Sequence, residues 1–353
     1  MLRFVVRVRL RPARPEDSRV LFDWANDSAT RRSSFLPDPI EWENHIAWFE
    51  ARLDACDESQ IFMAEQGDGE LLGQIRFDRS GGDAEIDYTV SPTHRGNRIG
   101  VRLLELGRRR IVAVWPGLTQ VVGVVRPENV ASIKSFERSG FREDGSSAEA
   151  ARFVWRPADR HFVLAASRPW YEDMGERLTE RVAGSFDLIR APDELSPAFL
   201  ESVRPSYVFL PHWSWIIEEE VHSNFDCVVF HMTDLPFGRG GSPLQNLISM
   251  GIKDTMISAI FVGPGLDSGD ILLKRALSLH GCAEEIFIRA SELIEEMIME
   301  IIEKDPVGAP QKGEPVTFRR RTPEESTIDD VETLGQLFDH IRMLDAEGYP
   351  HAF

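Results

Sequence analysis

The stretch His231-Met-Thr-Asp-Leu-Pro236-Phe-Gly-Arg239-Gly240-Gly-Ser-Pro243-Leu-Gln245 decides how this chain is read, with Gly265-Leu-Asp267-Ser-Gly269-Asp270 as its downstream counterpart. A histidine leaves an apolar strand, Asp226-Cys-Val-Val-Phe230, and enters a turn rich in proline and glycine. A carboxylate returns after a second apolar strand, Met256 to Val262, again bracketed by glycines. Glycine lets backbone approach a ligand closely. An imidazole and a carboxylate delivered by two strand ends into one crevice suit proton transfer in an α/β fold.

The flanking segments predict that fold. Strands are expected at Phe162–Ala166, Phe186–Arg190 and Tyr207–Leu210, with helices from Trp170 to Val182, Ala198 to Val203 and Ala283 to Glu303. Apolar strands alternating with helices point to a doubly wound, Rossmann-like, mostly parallel sheet with its active loops at the strand carboxyl ends. His212, His231 and Asp267 all fall at such ends. A lone histidine there is usually a hydrogen-bonded structural group, so its company at fixed spacing is what singles out His231.

That company resembles the folate-dependent formyltransferases, the superfamily of methionyl-tRNA formyltransferase and the sugar N-formyltransferases. The family pattern is Asn-x-His, Leu-Pro, Arg-Gly, a proline some twelve residues after the histidine, and later Leu-Asp-x-Gly-Asp. His231, Leu235, Pro236, Arg239, Gly240, Pro243, Gln245, Leu266, Asp267, Gly269 and Asp270 occupy its positions. The resemblance covers about residues 160 to 353. It implies 10-formyltetrahydrofolate as the one-carbon donor, bound around His212, Trp213, Trp215 and Gly240, with Pro211 to Ile217 receiving the pterin. The tryptophans suit stacking on a flat heterocycle or packing a loop onto the sheet, and packing is favoured for one of them.

The same resemblance implies the chemistry. An acceptor amine attacks the formyl carbon, His231 donates to the developing oxyanion, and Asp267 orients His231 and takes up the amine proton. Val229 stands two before His231 where the family has Asn, so a second oxyanion donor must come from N–H groups of the 231–241 loop, from Thr233 or from Asn246. Arg239 and Arg320 are acceptor-side positions. Phe318 to Ser326 and Asp339 to Phe353 look like segments of sugar N-formyltransferases in which basic residues can meet a nucleotide diphosphate; taken alone, Arg319–Arg321 would read as a solvated basic run. Past Phe353, where relatives often add a subdomain, none is expected.

The first half carries a different chemistry. Residues 3–10 predict an opening strand, Pro15 to Ala25 and Asp38 to about Leu53 two helices, and Gln60–Glu65, Glu70–Asp78 and Ala84–Val90 three strands, with turns at Asp68-Gly69 and Gly81-Gly82. Then comes Ser91-Pro-Thr-His94-Arg95-Gly96-Asn97-Arg98-Ile99-Gly100-Val101, a basic glycine loop opening a helix. Exposed N–H groups and the helix dipole there suit a pyrophosphate, although an isolated Arg-Gly-x-x-x-Gly run is equally a surface loop. After the strand Val121 to Val125 follows Asn129-Val-Ala-Ser132-Ile-Lys-Ser-Phe136-Glu-Arg-Ser-Gly140-Phe141.

In this order the two elements look like the acetyl-CoA motifs of the GNAT N-acetyltransferases, over roughly residues 7 to 156. The resemblance makes Val90, Arg95, Gly96, Asn97, Arg98, Gly100, Val101, Asn129 and Phe136 cofactor-binding positions. Trp24, Arg31 and Trp48 lie in segments resembling the acceptor region of the pseudaminic-acid-pathway N-acetyltransferase. An amine must lose its proton before attacking a thioester. Glu85 and Asp87 share a face of the strand leading to the pyrophosphate loop, and Glu85 is favoured as the base over a solvated surface role. Many GNAT enzymes protonate the leaving thiolate with a tyrosine where this chain has Phe136, so another group or water must serve, or the half only binds.

Composition sets limits. The 353 residues suffice for two cores, and hydrophobic content is 42%, an ordinary globular value. A formal charge of −18 argues against a nucleic-acid surface and against tRNA as acceptor. Cys56, Cys227 and Cys282 lack metal-ligand spacing and fit a reducing compartment, and no signal peptide or membrane span is expected. The expectation is a two-domain α/β cytoplasmic transferase: a GNAT fold with a mixed central sheet and flanking helices at 1–158, and a formyltransferase domain at 159–353. Acetyl-CoA and 10-formyltetrahydrofolate are its cofactors, with no metal. Its partner is a nucleotide-activated amino sugar or similar small amine, and a homodimer is left open. Two alternatives stand: a non-sugar amine acceptor of the hydroxyornithine type, and a degenerate GNAT half serving as a binding or oligomerisation module.

Overall fold

Alternation of apolar and polar residues in the first half builds one twisted sheet, in a computed structural model that describes residues 8–67, 69–328 and 331–353. Its strands are β1 (Arg9–Pro12), β2 (Ser59–Glu65), β3 (Leu71–Ser80), β4 (Asp83–Val90), β5 (Gln120–Val125), β6 (Arg142–Ser146) and β7 (Ala151–Trp155), in the order β1-β2-β3-β4-β5-β7-β6. All neighbours pair antiparallel except β4 and β5, which run parallel. That pairing stops at Ile86↔Gly123 although both strands run on. The helices are α1 (Ser18–Ala25), α2 (Ser28–Ser33), α3 (Trp42–Asp54), α4 (Ile99–Val114) and α5 (Val130–Arg138). The inner faces of α4 and α5 close a core around Ile75, Phe77, Leu103, Ile111, Val121 and Phe136.

The second half forms a six-stranded sheet with buried, near-continuous apolar strands. Its strands are β8 (His161–Ala165), β9 (Ser185–Ile189), β10 (Tyr207–Pro211), β11 (Cys227–His231), β13 (Asp254–Phe261) and β14 (Ile271–Ser278), while β12 (Arg239–Gly240) and β15 (Thr317–Phe318) form a separate two-stranded ribbon. The order is β14-β13-β11-β10-β8-β9, with β9, β8, β10 and β11 parallel and β13 and β14 antiparallel. Around it lie α6 (Met174–Arg181), α7 (Pro197–Val203), α8 (Glu219–Asn224), α9 (Pro243–Ser249), α10 (Ala283–Lys304) and α11 (Leu334–Arg342). Helix α10 buries Ile286, Phe287, Ala290, Ile294, Met297, Ile298 and Ile301 against one sheet face, the three-and-four spacing of an amphipathic helix. At about 1.5–3 kcal/mol for each large apolar side chain, this seam is a main anchor of the domain.

The chain divides into two compact units, Met1–Arg160 and His161–Phe353. Neighbouring β8 and β10 send their connections to opposite faces. The β8 connection runs through α6, whose Met174 and Leu178 join one core, and the β10 connection through α8, whose Val221 joins the other. Such a switch point opens a crevice at the strand carboxyl ends.

Several expectations need adjusting. Residues 3–7 of the opening strand, and Asp68 of the expected turn, lie outside the described residues. The helix expected from Asp38 starts at Trp42: Pro39 disfavours helix at residue 38, and the Asn26 amide holds Ile40 extended through bonds of 2.8 and 3.0 Å. Short α2 was not foreseen; Asp27 caps it by accepting from Ala29 and Thr30 N–H. Neither was β6, an exposed polar edge without alternation. The helix expected from Trp170 begins at Met174, after a 3-10 turn at Pro169–Tyr171.

Candidate active sites

His231 ends β11 with its side chain 9% exposed, and Asp267 sits in the Gly265–Gly269 turn at φ +47°. The His231 Nε2 lies 2.7 Å from the Gly238 carbonyl oxygen, which leaves Nδ1 facing Asp267 Oδ2 at 3.6 Å. The same Oδ2 accepts the Gly240 N–H at 2.8 Å. The family-type histidine and carboxylate, 36 positions apart in sequence, therefore meet as an oriented pair with one ring nitrogen fixed by backbone. Gly240 is at φ +107°, and a Cβ there would lie 2.2 Å from the Phe318 oxygen, so the N–H reaches Asp267 only with glycine.

A residue that sequence reasoning missed ties the two turns together. The Gln311 amide donates to Asp267 O at 2.8 Å and Gly269 O at 2.9 Å, while its oxygen accepts from Arg239 Nε and Nη2 at 3.1 and 2.7 Å. No periodicity marks it; the only signal was its place in a third loop rich in glycine and proline, Gly308 to Gly313. Gln311→Ala is expected to cost about 2 kcal/mol of stability and to lower kcat more than it raises KM. Gln311→Glu, which turns both donors toward carbonyls into acceptors, is expected to be worse than alanine despite its matching shape. Thermal denaturation and steady-state formyl transfer check both.

Of the donors considered in place of the family Asn, Asn246 is spoken for: its amide donates to Gly241 O at 3.0 Å and Arg319 O at 3.1 Å. Thr233 is fully buried, with its hydroxyl 3.4 Å from Gly238 O. Arg239, expected on the acceptor side, spends its guanidinium on Gln311, whereas Arg320 reaches Ser214 O at 3.3 Å. Of the two tryptophans, Trp213 packs into the core beside α7 and α8, and Trp215, 42% exposed, meets it edge-on at 4.8 Å. His212 takes φ +52°, and its Nε2 hydrogen-bonds Tyr349 Oη at 2.8 Å. Burial pushes its imidazole down to about 3, helped by the charge of Arg168.

In the first unit, Gly96 at φ +82° and Arg98 at φ +60° turn the loop so that α4 opens at Ile99. Asn97 and Val101 lie on this turn and helix start, and Val90 ends β4 just before it. Asn129 caps α5, its oxygen accepting from Ser132 N at 3.2 Å. The Arg95 guanidinium pairs with Asp27 at 2.7 Å, tying the loop to α2, so this loop offers its backbone more than that side chain. Glu85 and Asp87 are both exposed on one face of β4, with Arg76 3.7 Å from Asp87.

Three expected contacts turn inward. Trp24 is buried in a small core with Leu21, Phe49, Ile61 and Met63, so it packs instead of binding an acceptor. Arg31 braces its own loop by donating to Leu36 O and Asp38 O. Phe136 is 2% exposed and stacked on Phe153 at 5.3 Å, and its ring would touch any Cβ at Gly123. Trp48 is half-buried between the guanidinium groups of Arg52 and Arg76 at 5.0 and 5.2 Å. Beside Phe136 sits a phenol: Tyr88 packs edge-on at 5.9 Å and donates to Ser132 Oγ at 3.1 Å. Burial raises its pKa against the hydrogen bonds to Ser132 and Ser135, so it keeps its proton. Its position beyond Ile86↔Gly123, where β4 and β5 part, is invisible to a search for the tyrosine at 136.

The geometry thus defines an acyl-transfer class of site in a Rossmann-like half and a GNAT fold before it. The sequence pattern of the GNAT acetyltransferase domain matches residues 7–142, and that of the methionyl-tRNA formyltransferase C-terminal domain matches residues 323–353. A solved methionyl-tRNA formyltransferase from Clostridium thermocellum is 49% identical, with 55% of this chain and 87% of that chain covered at a TM-score of 0.54. The methionyl-tRNA formyltransferase of Sulfurimonas denitrificans is 27% identical over 116 residues, 32% of this chain and 38% of that protein. That of Francisella tularensis subsp. novicida is 28% identical over 156 residues, 42% of this chain and 50% of that protein. The chain belongs to the formyltransferase family, here fused to a GNAT acetyltransferase domain. It spans half or less of the length of these curated relatives. Among the described residues no helix is long and apolar enough to cross a membrane.

Proposed function

We propose that this chain transfers acyl groups to amines at two sites: formyl from 10-formyltetrahydrofolate in the second unit, and acetyl from acetyl-CoA in the first. The observation that carries the reading is the His231–Asp267 pair, held by Gly238 O and Gly240 N–H. Formyl-folate, when bound, supplies a one-carbon unit at the oxidation level of formate, and exposed Trp215 with the 211–217 loop fits its flat ring. Nδ1 of His231, the ring nitrogen not given to Gly238 O, donates where charge builds on the formyl oxygen when the ring carries its second proton. Asp267 keeps Oδ1 free of hydrogen bonds among the described residues and accepts the proton that the attacking amine must lose. Acetyl-CoA fits the turn at Gly96–Arg98 and the parting of β4 and β5.

The acceptor is a small amine, and a nucleotide-linked amino sugar is the favoured one. A formal charge of −18 makes a tRNA acceptor unfavourable. Both transfers need a neutral amine, so one amino-sugar route would use both, in the cytoplasm where both acyl donors are made. Tyr88 favours an active first unit over a degenerate module, since its phenol can protonate the departing thiolate in place of residue 136. The test supplies the full chain with each donor separately and a panel of nucleotide-linked amino sugars, polyamines and hydroxylated ornithine, scored by mass. Formyl transfer to a sugar amine is expected; transfer to none of the amines would refute the reading. Tyr88→Phe is expected to lower acetyl-transfer kcat about tenfold or more, with KM for acetyl-CoA and formyl transfer unchanged.

A further inference from the structure

A buried hydroxyl on an apolar strand needs a partner, and Ser258 within β13 is fully buried. Its Oγ donates to Thr233 O at 2.7 Å, in the loop after β11. One strand further out, Lys274 of β14 donates from Nζ to Leu235 O at 2.7 Å and pairs with the Asp234 carboxylate. The register explains both contacts. His231 lies opposite Ser258 across β11 and β13, and Ser258 lies opposite Lys274 across β13 and β14. Residues directly opposite in antiparallel strands project from the same face, so imidazole, hydroxyl and ammonium form one row. The loop after β11 folds back over that row.

What the row holds is the shape of the loop. Leu235 N–H donates to Thr233 O at 3.0 Å and Phe237 N–H donates to Asp234 O at 3.1 Å, two tight turns in succession. Gly238 closes them at φ +77°, where a Cβ would lie 2.8 Å from Thr233 Cγ2. The carbonyl of that glycine is the one that fixes His231 Nε2 at 2.7 Å. Its position therefore depends on where Thr233 and Leu235 are held, and each is held by one strut from the sheet. We propose that Ser258 and Lys274 are positioning residues for formyl transfer: through Thr233 and Leu235 they set Gly238 O, and Gly238 O sets the ring of His231. The effect on rate rests on the formyl-transfer reading above; the effect on the ring rests on geometry alone.

The experiment reads ring and rate separately in the full chain. Ser258→Ala removes one strut, and Lys274→Met removes the other while keeping its apolar stem. Each is expected to lower formyl-transfer kcat about tenfold, with KM for 10-formyltetrahydrofolate within about twofold, the size of one lost hydrogen bond felt through the imidazole. Lys274→Arg keeps a donor for Leu235 O and is expected to recover most of the rate. Lys304→Met, which removes an exposed lysine paired with Glu300 on α10, leaves the rate unchanged and controls for lost charge. In spectra of isotope-labelled histidine, the Nε2–H signal of His231 is the one missing from His231→Gln. Its exchange with solvent is expected to be slow in the wild type and about tenfold faster in both strut variants. Lys274 sits on the edge strand of the sheet, so Lys274→Met carries the test if Ser258→Ala misfolds. A kcat within about twofold of wild type in both variants, or a slower enzyme whose ring exchange is unchanged, overturns the assignment. A wild type that makes no formyl product while ring exchange still responds to both variants would refute the function and leave the positioning standing.

Discussion

His231→Ala is expected to lower formyl transfer by about three orders of magnitude, within the range for loss of a positioned acid–base group, with acetyl transfer untouched. The side chain does two jobs that the variant separates. It presents Nδ1 toward Asp267 at 3.6 Å, and it serves Gly238 O at 2.7 Å. Removing the second role leaves a buried carbonyl with, among the described residues, only the long 3.4 Å contact to Thr233 Oγ1, a cost of about 1–3 kcal/mol. His231→Gln, whose amide nitrogen has the reach of the imidazole Nε2, restores a donor for that carbonyl without an acid–base group. It is therefore expected to recover the melting temperature while staying as inactive as alanine.

Asp267→Asn supplies the complementary cut. The amide oxygen still accepts the Gly240 N–H, so the turn persists, while the proton acceptor and the partner charge are lost. Because the two groups act as a unit, the double variant His231→Ala/Asp267→Asn should be little slower than the slower single one. Single-turnover rates of formyl transfer check this. A His231→Ala enzyme within tenfold of wild type would remove the imidazole from the chemistry.

The sequence was legible where chemistry demanded fixed residues on fixed turns. His231 and Asp267 announced themselves because only glycine allows the φ +107° at Gly240, and because apolar strands precede both groups. The parallel sheet was equally readable, since β8, β10 and β11 are buried on both faces and carry unbroken apolar runs. What stayed hidden depends on contacts between segments far apart in sequence. Gln311 reaches Asp267 O across 44 positions and Tyr349 reaches His212 across 137, and neither leaves a periodic trace. Trp24 misled for a related reason: an aromatic in an acceptor-like motif looks the same in sequence whether it faces a ligand or Phe49. Antiparallel β14 carries the mixed string Ile-Leu-Leu-Lys-Arg-Ala-Leu-Ser, whose alternation is too weak to separate strand from helix.

His212 yields the second large effect, on stability at acid pH. The residue keeps some surface, but its Nδ1 is sealed and has no hydrogen-bond partner among the described residues, and the ring lies 4.7 Å from Phe287 and 5.4 Å from Trp170. Burial first, and the charge of Arg168 second, hold its pKa down to about 3, against an ordinary 6.5. Between these values the unfolded chain binds a proton that the native state refuses, so lowering the pH favours unfolding. The slope is about 1.4 kcal/mol per pH unit once the pH is well below 6.5, and no such loss arises above about pH 7. Burial raises Tyr171 and Tyr349, so neither phenol changes charge in this window, and the comparison with a variant lacking only the imidazole isolates its response. His212→Asn tolerates the left-handed backbone at φ +52°, keeps a hydrogen-bonding group for Tyr349, and cannot titrate. At pH 7.5 it is expected to be the less stable protein through lost ring packing. Between pH 7 and 5 wild type should lose about 2 kcal/mol relative to it, read from urea midpoints of the full chain at each pH. Parallel pH profiles for the two proteins would show that the imidazole charges freely in the native state, and would remove the sealed ring from the account of this crevice.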